Sequence, residues 1–348
     1  MMSLEIVMAT LALAIGSFMN VLDSTIVNVS LSHIAGDFAV APTQGTWVIT
    51  SYAVAEAIFL PLIGWLTKRF GIVKQYMVAT LLFTGASVLC GLSFSFEFLL
   101  FARVLQGIVG ASMIPLSQTL MLGFYPKEKK GIALGIWSMT VILAPVFGPM
   151  IGGWITDSFS WRWCFYINIP FGLISTFIVY SIFKKKGYKD KIEKAPIDIW
   201  GLVFLIIGIG SLQIMLDKGN DLDWFSSPLI VGLTIIAFIF LVLLVIWEWY
   251  QDNPVVNIRL FLNRNFSVGS VCLTIGSIAF FAAVVVIPLW LQNYMGYTAL
   301  KSGLTTCTMG ISSLFLAPIL GSMLTKYDAR KFAMIGFLAF AISSFTFS

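Results

Sequence analysis

Apolar residues run in blocks along this chain, too long for strands and too continuous for helices with one wet face. Eleven blocks stand out, near residues 6–30, 46–66, 73–93, 97–122, 131–155, 163–183, 197–216, 227–250, 266–292, 302–325 and 331–348. Each approaches the roughly 20 apolar residues that a helix needs to cross a bilayer core. A soluble core cannot hide eleven such blocks, so the pattern predicts an all-α integral membrane protein. The first block is retained rather than cleaved. Glu5 precedes it in place of a basic stretch, Asp23 lies within it, and Val27-Asn28-Val29-Ser30 offers no small-x-small cleavage site.

The polar positions between blocks set orientation, because basic residues accumulate in cytoplasmic connections. Lys68, Arg69 and Lys74 follow block two, and Lys127, Lys129 and Lys130 follow block four. Lys184, Lys185, Lys186, Lys189, Lys191 and Lys194 follow block six. Arg259 and Arg264 follow block eight, and Lys326, Arg330 and Lys331 follow block ten. Seventeen of the 21 basic residues therefore share one side, against Arg162, Lys218 and Lys301 on the other. This predicts a cytoplasmic N-terminus. The net charge of +5 follows from the same bias and implies contact with anionic lipid rather than nucleic acid.

Composition narrows the chemistry. Hydrophobic residues make up 59% of the 348 and charged residues 11%, so few groups are available for catalysis. Cys90, Cys164, Cys272 and Cys307 lie in or beside blocks without CxxC spacing, which suggests neither a zinc site nor a disulfide framework and makes core packing the default. His33, the single histidine, is expected on the surface of an outer loop beside Asp37. No HExxH, P-loop or Ser/His/Asp grouping is present, which weighs against an integral-membrane enzyme. Trp47, Trp154, Trp161, Trp163 and Trp224 cluster near the predicted outer ends, as interface anchors do.

One internal repetition organises the blocks. Pro61-Leu62-Ile63-Gly64-Trp65-Leu66-Thr67-Lys68 ends block two, and Pro318-Ile319-Leu320-Gly321-Ser322-Met323-Leu324-Thr325-Lys326 ends block ten. If the two correspond, block nine matches block one and a second bundle begins near Asn265. Blocks seven and eight then form an inserted pair, and Lys184 to Lys194 is the charged connection ahead of it. The implied divisions are residues 1–183, 184–264 and 265–348.

Ionisable groups inside the blocks carry the chemistry, since each costs about 2.5 to 3.5 kcal/mol to insert and usually faces a pathway. Asp23 lies five residues before the expected outer end of block one, and Arg103 six residues into block four. Both sit about 8 to 9 Å from the outer boundary and can pair. Glu56, ten residues into block two, lies about 15 Å deep, near the midplane. Asp23 with Arg103 suits proton coupling, and Glu56 suits coupling or cation recognition. The plain alternatives are that Asp23 bonds Asn20, Ser24 or block-four polar groups as structural glue, and that Glu56 only faces water. Gln106 and Gln118 offer polar contacts on the cavity side of block four, or bond neighbouring helices.

Block five contains Ala144-Pro145-Val146-Phe147-Gly148-Pro149-Met150-Ile151-Gly152-Gly153, two prolines and three glycines in a spanning helix. Pro145 leaves the carbonyl of Val141 without its donor, and Pro149 leaves that of Pro145 without one. Ala144, Gly148 and Gly152 recur every fourth residue and make a groove that a second backbone can enter. Such a groove seals two bundles against each other, with the prolines bending the helix, or is a structural kink alone.

Several of these runs resemble the major facilitator superfamily, and within it the fourteen-span drug:proton antiporters. Leu22-Asp23-Ser24-Thr25-Ile26-Val27-Asn28-Val29 is similar to that family's first-span motif. Gly64-Trp65-Leu66-Thr67-Lys68-Arg69-Phe70-Gly71 is similar to its loop motif, Arg103-Val104-Leu105-Gln106-Gly107 to its fourth-span motif, and Gly148-Pro149-Met150-Ile151-Gly152-Gly153 to its antiporter motif. Trp161-Arg162-Trp163-Cys164-Phe165-Tyr166-Ile167-Asn168-Ile169-Pro170 resembles the family's entry to span six. Together with Gln44-Gly45-Thr46-Trp47-Val48-Ile49-Thr50-Ser51 and Ile114-Pro115-Leu116-Ser117-Gln118, these runs look closest to EmrB-type multidrug exporters.

The resemblance implies a six-span bundle, two inserted spans and a partial second bundle, of which about eleven spans are present. It implies functional roles for the loop residues Gly64, Lys68, Arg69 and Gly71 and for Pro145, Gly148, Pro149, Gly152 and Gly153. Lys68 stands where the superfamily usually has an acid, so the resemblance does not carry over a gating salt bridge at that point. The implied activity is proton-coupled efflux of hydrophobic or amphipathic drugs by alternating access, driven by a proton gradient with no bound cofactor or metal. Its implied setting is the cell inner membrane, with a periplasmic adaptor and an outer-membrane channel as partners. Because the chain stops at Ser348 in block eleven, a truncated, non-transporting fragment is the alternative, and a facilitator or symporter of the same fold is another.

Overall fold

The computed structural model describes residues 4–126, 129–185, 192, 196–297, 301, 304–305, 316, 319–320, 323 and 327–346. Most of block ten with its repeat near Pro318, most of the connection Lys184 to Lys194, Lys127, Cys307 and Ser348 lie outside them.

Among the described residues the chain is helical, without strands. The long helices are α1 (Leu4–Asp37), α2 (Trp47–Phe70), α3 (Ile72–Gly91), α4 (Phe96–Phe124) and α5 (Lys130–Ser158). They continue with α6 (Trp163–Lys184), α7 (Ile199–Lys218), α8 (Pro228–Tyr250), α9 (Arg264–Asn293) and α10 (Ala329–Thr346). The first eight contain segments long and apolar enough to cross a membrane. Blocks one to nine and eleven thus each coincide with a helix.

Local chemistry explains the boundaries. Ser95 caps α4 by accepting from the Phe98 amide at 3.2 Å, with Glu97 in the first turn where the helix dipole favours an acid. Asp198 caps α7 through the Gly201 amide at 3.0 Å, and Asn263 caps α9 through the Asn265 amide at 3.0 Å. Gly71 ends α2 and starts α3 at φ +85°, a backbone conformation that a side chain resists. The chain tightens into one 3-10 turn at Leu60–Leu62, around Pro61. By contrast, α5 passes through Pro145 and Pro149 without interruption.

Helix α1 is the axis of the first six. It packs along α5 and also against α6 and the second half of α4, while α2 lies on α4 and α3 bridges α4 and α6. About two thirds of its spanning segment is buried, 67% against 17% for α8, which pairs with α7 and leaves most of its surface bare. Apolar clusters fill the two ends of this bundle. One gathers Leu13, Tyr76, Leu120 and Val179; the other gathers Ile26, Val48, Leu99 and Phe165. Between them Asn20, Asp23, Ser87, Arg103, Gln106 and Asn168 are all buried.

Two expectations change. Helix α1 runs on to Asp37, so exposed His33 sits on a helix and not in a loop, and Asp23 lies farther from the helix end than expected. Ser30, beyond Val27, is accommodated in the continuing helix because it is buried with a partner, Thr156 at 2.8 Å. Trp161 is not an interface anchor either, being 3% exposed with its indole N–H given to Asp37 at 2.8 Å. Trp154, Trp163 and Trp224 do lie exposed.

Candidate functional site

The site is a buried charge pair enclosed by amides. Helix α4 approaches α2 closely at Gly107, where any side chain would strike the backbone carbonyl of Tyr52 and the methyl of Ala55. That approach carries Arg103, one turn earlier, under α2: its Nε donates to the Val48 carbonyl at 3.0 Å and its guanidinium lies 4.3 Å from the Tyr52 ring centroid. Nη1 then reaches Oδ2 of Asp23 on α1 at 2.6 Å, with both side chains at 1% exposure or less. The pairing expected from depth is present.

The remaining valences of the pair are filled by groups from three helices. Gln106 Nε2 donates to Asp23 Oδ1 at 2.9 Å and to Ser87 Oγ of α3 at 2.8 Å, while its Oε1 accepts from Arg103 Nη1 at 2.7 Å. Asn168 Nδ2, from α6, donates to the same Asp23 Oδ1 at 2.6 Å and to Ser87 Oγ at 3.1 Å. A buried ion pair survives only with such support, since desolvation of each partner costs several kcal/mol, on the order of the attraction gained. Of the partners expected for a structural role, Asp23 takes the block-four one, Gln106, and bonds neither Asn20 nor Ser24. Asn20 instead donates to Tyr52 Oη at 3.0 Å and to the Gly110 carbonyl at 3.2 Å, and Ser24 turns back to the Val21 carbonyl at 2.8 Å.

Of the two expectations for Gln106, a cavity contact or a bond to neighbouring helices, the structure shows the second: it is fully buried and both ends of its amide are engaged by the ion pair. Gln118 is half-buried farther along α4, away from this cluster in sequence by twelve residues. Glu56 is also half-buried and sits one helical turn from Tyr52, whose hydroxyl donates to Glu56 Oε1 at 3.5 Å. Tyr52 thus stands between Glu56 and the Arg103 guanidinium. Asn168, Ser87 and Tyr52 were missed as site residues. The available signal was an asparagine and a serine inside apolar blocks, each needing a partner that lipid does not supply.

The glycine groove of α5 also lands here, on a different partner from the one expected. Ala144 is buried against Val21 and Leu22 of α1, in the same bundle. A side chain at Gly148 would overlap Thr25, and one at Gly152 would meet Ile26 at 2.7 Å and its carbonyl at 2.9 Å. The groove thus seals α5 onto the turn of α1 that carries Asp23, and not one bundle onto another. Pro145 and Gly153 are buried beside it and Pro149 is half-buried.

The loop motif lies at the opposite end of the bundle. Gly64, Lys68 and Arg69 are exposed, with Arg69 5.6 Å from the Trp65 ring centroid. Thr67 donates to Gln75 at 2.8 Å and Gln75 to Ser112 at 3.4 Å, tying this turn to α4 across Gly71. A further polar cluster joins α7 to α2. Lys218, 7% exposed, donates to Thr46 at 2.7 Å and to Asp221 at 3.2 Å, and Thr50 donates to Asp217 at 2.6 Å. Sequence reasoning left Lys218 in an outer connection. Among the described residues no group of three or more histidine, cysteine or acidic side chains is placed to hold a metal ion.

Known proteins agree with this architecture. The family model described as Major Facilitator Superfamily matches residues 13–348. The Multidrug export protein EmrB of Haemophilus influenzae is 48% identical over 338 residues, covering 97% of this chain and 66% of that protein. The Fatty acid resistance protein FarB of Neisseria gonorrhoeae is 42% identical over 334 residues, covering 96% and 66%. The chain thus spans just under two thirds of the length of these curated relatives. In fold, it is similar to a peptide transporter POT crystallised with sulfate, at a TM-score of 0.61 and 13% identity, covering 92% of this chain and 69% of that one.

Proposed function

The chain belongs to the Major Facilitator Superfamily, and from that membership we propose that it forms part of a proton-coupled exporter of hydrophobic or amphipathic compounds, a secondary transporter and not an enzyme. One observation carries the reading. A carboxylate, Asp23, is wholly buried in the axial helix of a membrane bundle, where an ionisable group is costly and usually functional. Relatives named for multidrug export and for fatty acid resistance support amphipathic substrates.

The proposed cycle uses the groups around that carboxylate. Asp23 ionised holds Arg103 in the geometry described; Asp23 protonated releases it, since a neutral carboxyl no longer balances the guanidinium. Arg103 then keeps Gln106 Oε1 on its own helix and, on α2, the Val48 carbonyl and the Tyr52 ring. Arrival of a substrate on one side and of a proton on the other favours opposite members of this pair of states, which is antiport. Glu56, beyond Tyr52, is placed to present a negative charge to a cationic substrate or to pass a proton inward. Because Gly148 and Gly152 hold α5 against the same turn of α1, a shift of Asp23 is felt directly by α5. In this role the antiporter motif with Pro145, Pro149 and Gly153 is the element that moves, and Gly64, Lys68, Arg69 and Gly71 form the hinge at the other end.

The setting follows the same reading. Residues 1–183 form one transport half, 184–264 a connection with two inserted helices, and 265–348 belong to the second half. The one-sided Lys and Arg distribution supports a cytoplasmic N-terminus in a cell inner membrane. The likeness to exporters of this type supports a periplasmic adaptor and an outer-membrane channel as partners, and a proton gradient in place of any cofactor.

The test is transport by the full-length protein in liposomes holding a pH-sensitive dye. Addition of tetraphenylphosphonium, or of a long-chain fatty acid in a second series, is expected to drive proton movement opposite to the compound. An ionophore that collapses the gradient should stop uphill movement of the compound. Movement with no accompanying proton flux contradicts antiport; movement equal to that in protein-free liposomes contradicts transport.

A further inference from the structure

The polar layer around Asp23 is saturated with donors and has one acceptor to spare. Arg103 Nη1, Gln106 Nε2 and Asn168 Nδ2 all donate to the Asp23 carboxylate. That arrangement serves the ionised form. A protonated carboxyl brings a donor of its own, and a buried O–H without an acceptor costs about 1–3 kcal/mol. Arg103 has no acceptor to give. Gln106 Oε1 already accepts from Arg103, and Ser87 Oγ already accepts from both amides. Asn168 Oδ1 is different: the side chain is fully buried, lies against Asp23, and this oxygen has no hydrogen-bond partner.

Resting on the proton-coupled reading above, we propose that Asn168 is the positioning residue that accommodates the proton on Asp23, by rotating its amide half a turn. With Asp23 ionised, Nδ2 points at Asp23 Oδ1 and Ser87 Oγ. When a proton arrives, the O–H bond forms at Asp23 Oδ1. The amide turns, Oδ1 accepts that hydrogen, and Nδ2 gives up Asp23 Oδ1 and Ser87 Oγ, so that the unpaired end of the amide changes from the oxygen to the NH2 group. No other atom is exchanged. An unbonded carbonyl oxygen beside a titrating acid is costly in one state and needed in the other, which accounts for its being left bare inside the bundle.

The other titratable groups in this environment are identifiable. Arg103 of α4 is the countercharge; Tyr52 and Glu56 come from α2 and Cys90 from α3, its thiol 3.5 Å from Gln106 Oε1. Cys164, in the first turn of α6, lies instead within hydrogen-bond distance of Ser30 and Thr156, and α5 offers Ala144, Gly148 and Gly152 to this stretch of α1. None of them presents an oxygen acceptor to Asp23.

Infrared difference spectroscopy on the full-length protein, acid minus alkaline, tests this. Asparagine labelled with 13C at the side-chain carbonyl separates its band from all others. The expected result is a neutral-carboxyl band absent in Asp23→Asn, together with one labelled carbonyl band that moves to lower frequency on acidification. That labelled shift should be lost in Asp23→Asn and in Asn168→Gln, the latter keeping an amide but no label. A carboxyl band that depends on Asp23 without any labelled shift overturns the role of Asn168 and leaves Asp23 as the proton carrier. A labelled shift that persists in Asn168→Gln belongs to another asparagine and overturns it equally. Absence of an Asp23-dependent carboxyl band overturns both readings.

Discussion

Helix α1 carries two aspartates, and each meets an arginine. Asp23 pairs with Arg103 at 2.6 Å and Asp37 with Arg162 at 2.9 Å, so by distance the two are alike. Their surroundings are not. The Asp23 pair is 1% exposed or less on both sides, whereas the Arg162 and Asp37 side chains are 34% and 51% exposed. Asp37 also accepts from Trp161, and Arg162 from the same turn reaches the Ser93 carbonyl at 3.4 Å, so this pair ties the ends of α1, α3 and α5 together. Water shares the load at Asp37. At Asp23 every hydrogen bond must come from protein, and any change of charge must be answered by movement. The outer pair is a clasp; the inner one is suited to be a switch.

Removing one arginine at a time should separate them most clearly. Arg103→Ala leaves a buried carboxylate with two amides for company, a loss of about 3–5 kcal/mol for pairs of this kind. Arg162→Ala should cost roughly 0–1 kcal/mol, since exposed pairs are weak. Thermal unfolding of the purified variants in detergent measures both. Equal losses would break the comparison.

The inner pair should also depend on its backing. Gly148→Val places two methyl groups where Thr25 sits, and such overpacking costs about 1–3 kcal/mol. Transport should fall by an order of magnitude or so while the Asp37 clasp, assayed by protection of the Trp161 indole from hydrogen exchange, stays as in the parent. Undiminished transport would leave the groove with a packing role only.

The smallest effect is expected at the clasp under acid. The Asp37 carboxyl is held below its ordinary value of 3.8, first by the Trp161 hydrogen bond and then by the Arg162 bond. A depressed acid contributes stability that is fully present above the unfolded value and disappears as pH falls through the folded one. Asp37→Asn should therefore be slightly less stable than the parent at neutral pH, with the two melting curves converging below about pH 4. A difference that grows on acidification would contradict the assignment.

Much of this was legible before any helix was seen. The blocks were readable because a membrane demands long uninterrupted apolar runs, and Asp23 with Arg103 because a charge in such a run is conspicuous. The enclosure was harder. Asn168 and Ser87 are common residues on helices distant in sequence, and only packing brings them to one oxygen. Gln106 reads equally as a cavity contact or a link to neighbouring helices, because polarity in a span marks a partner without saying which. Ala144, Gly148 and Gly152 likewise announced a close backbone approach but not that α1 makes it. Lys218 reads as an outer loop residue because nothing in its own neighbourhood in sequence foretells Thr46, the residue just ahead of α2.

The central claim is that Asp23 carries the exchanged proton. It is tested most directly by counting protons released when tetraphenylphosphonium is added to purified full-length protein in weakly buffered detergent solution. The account predicts release from the parent protein, none from Asp23→Asn, and release that persists in Asp37→Asn. Undiminished release from Asp23→Asn would contradict it.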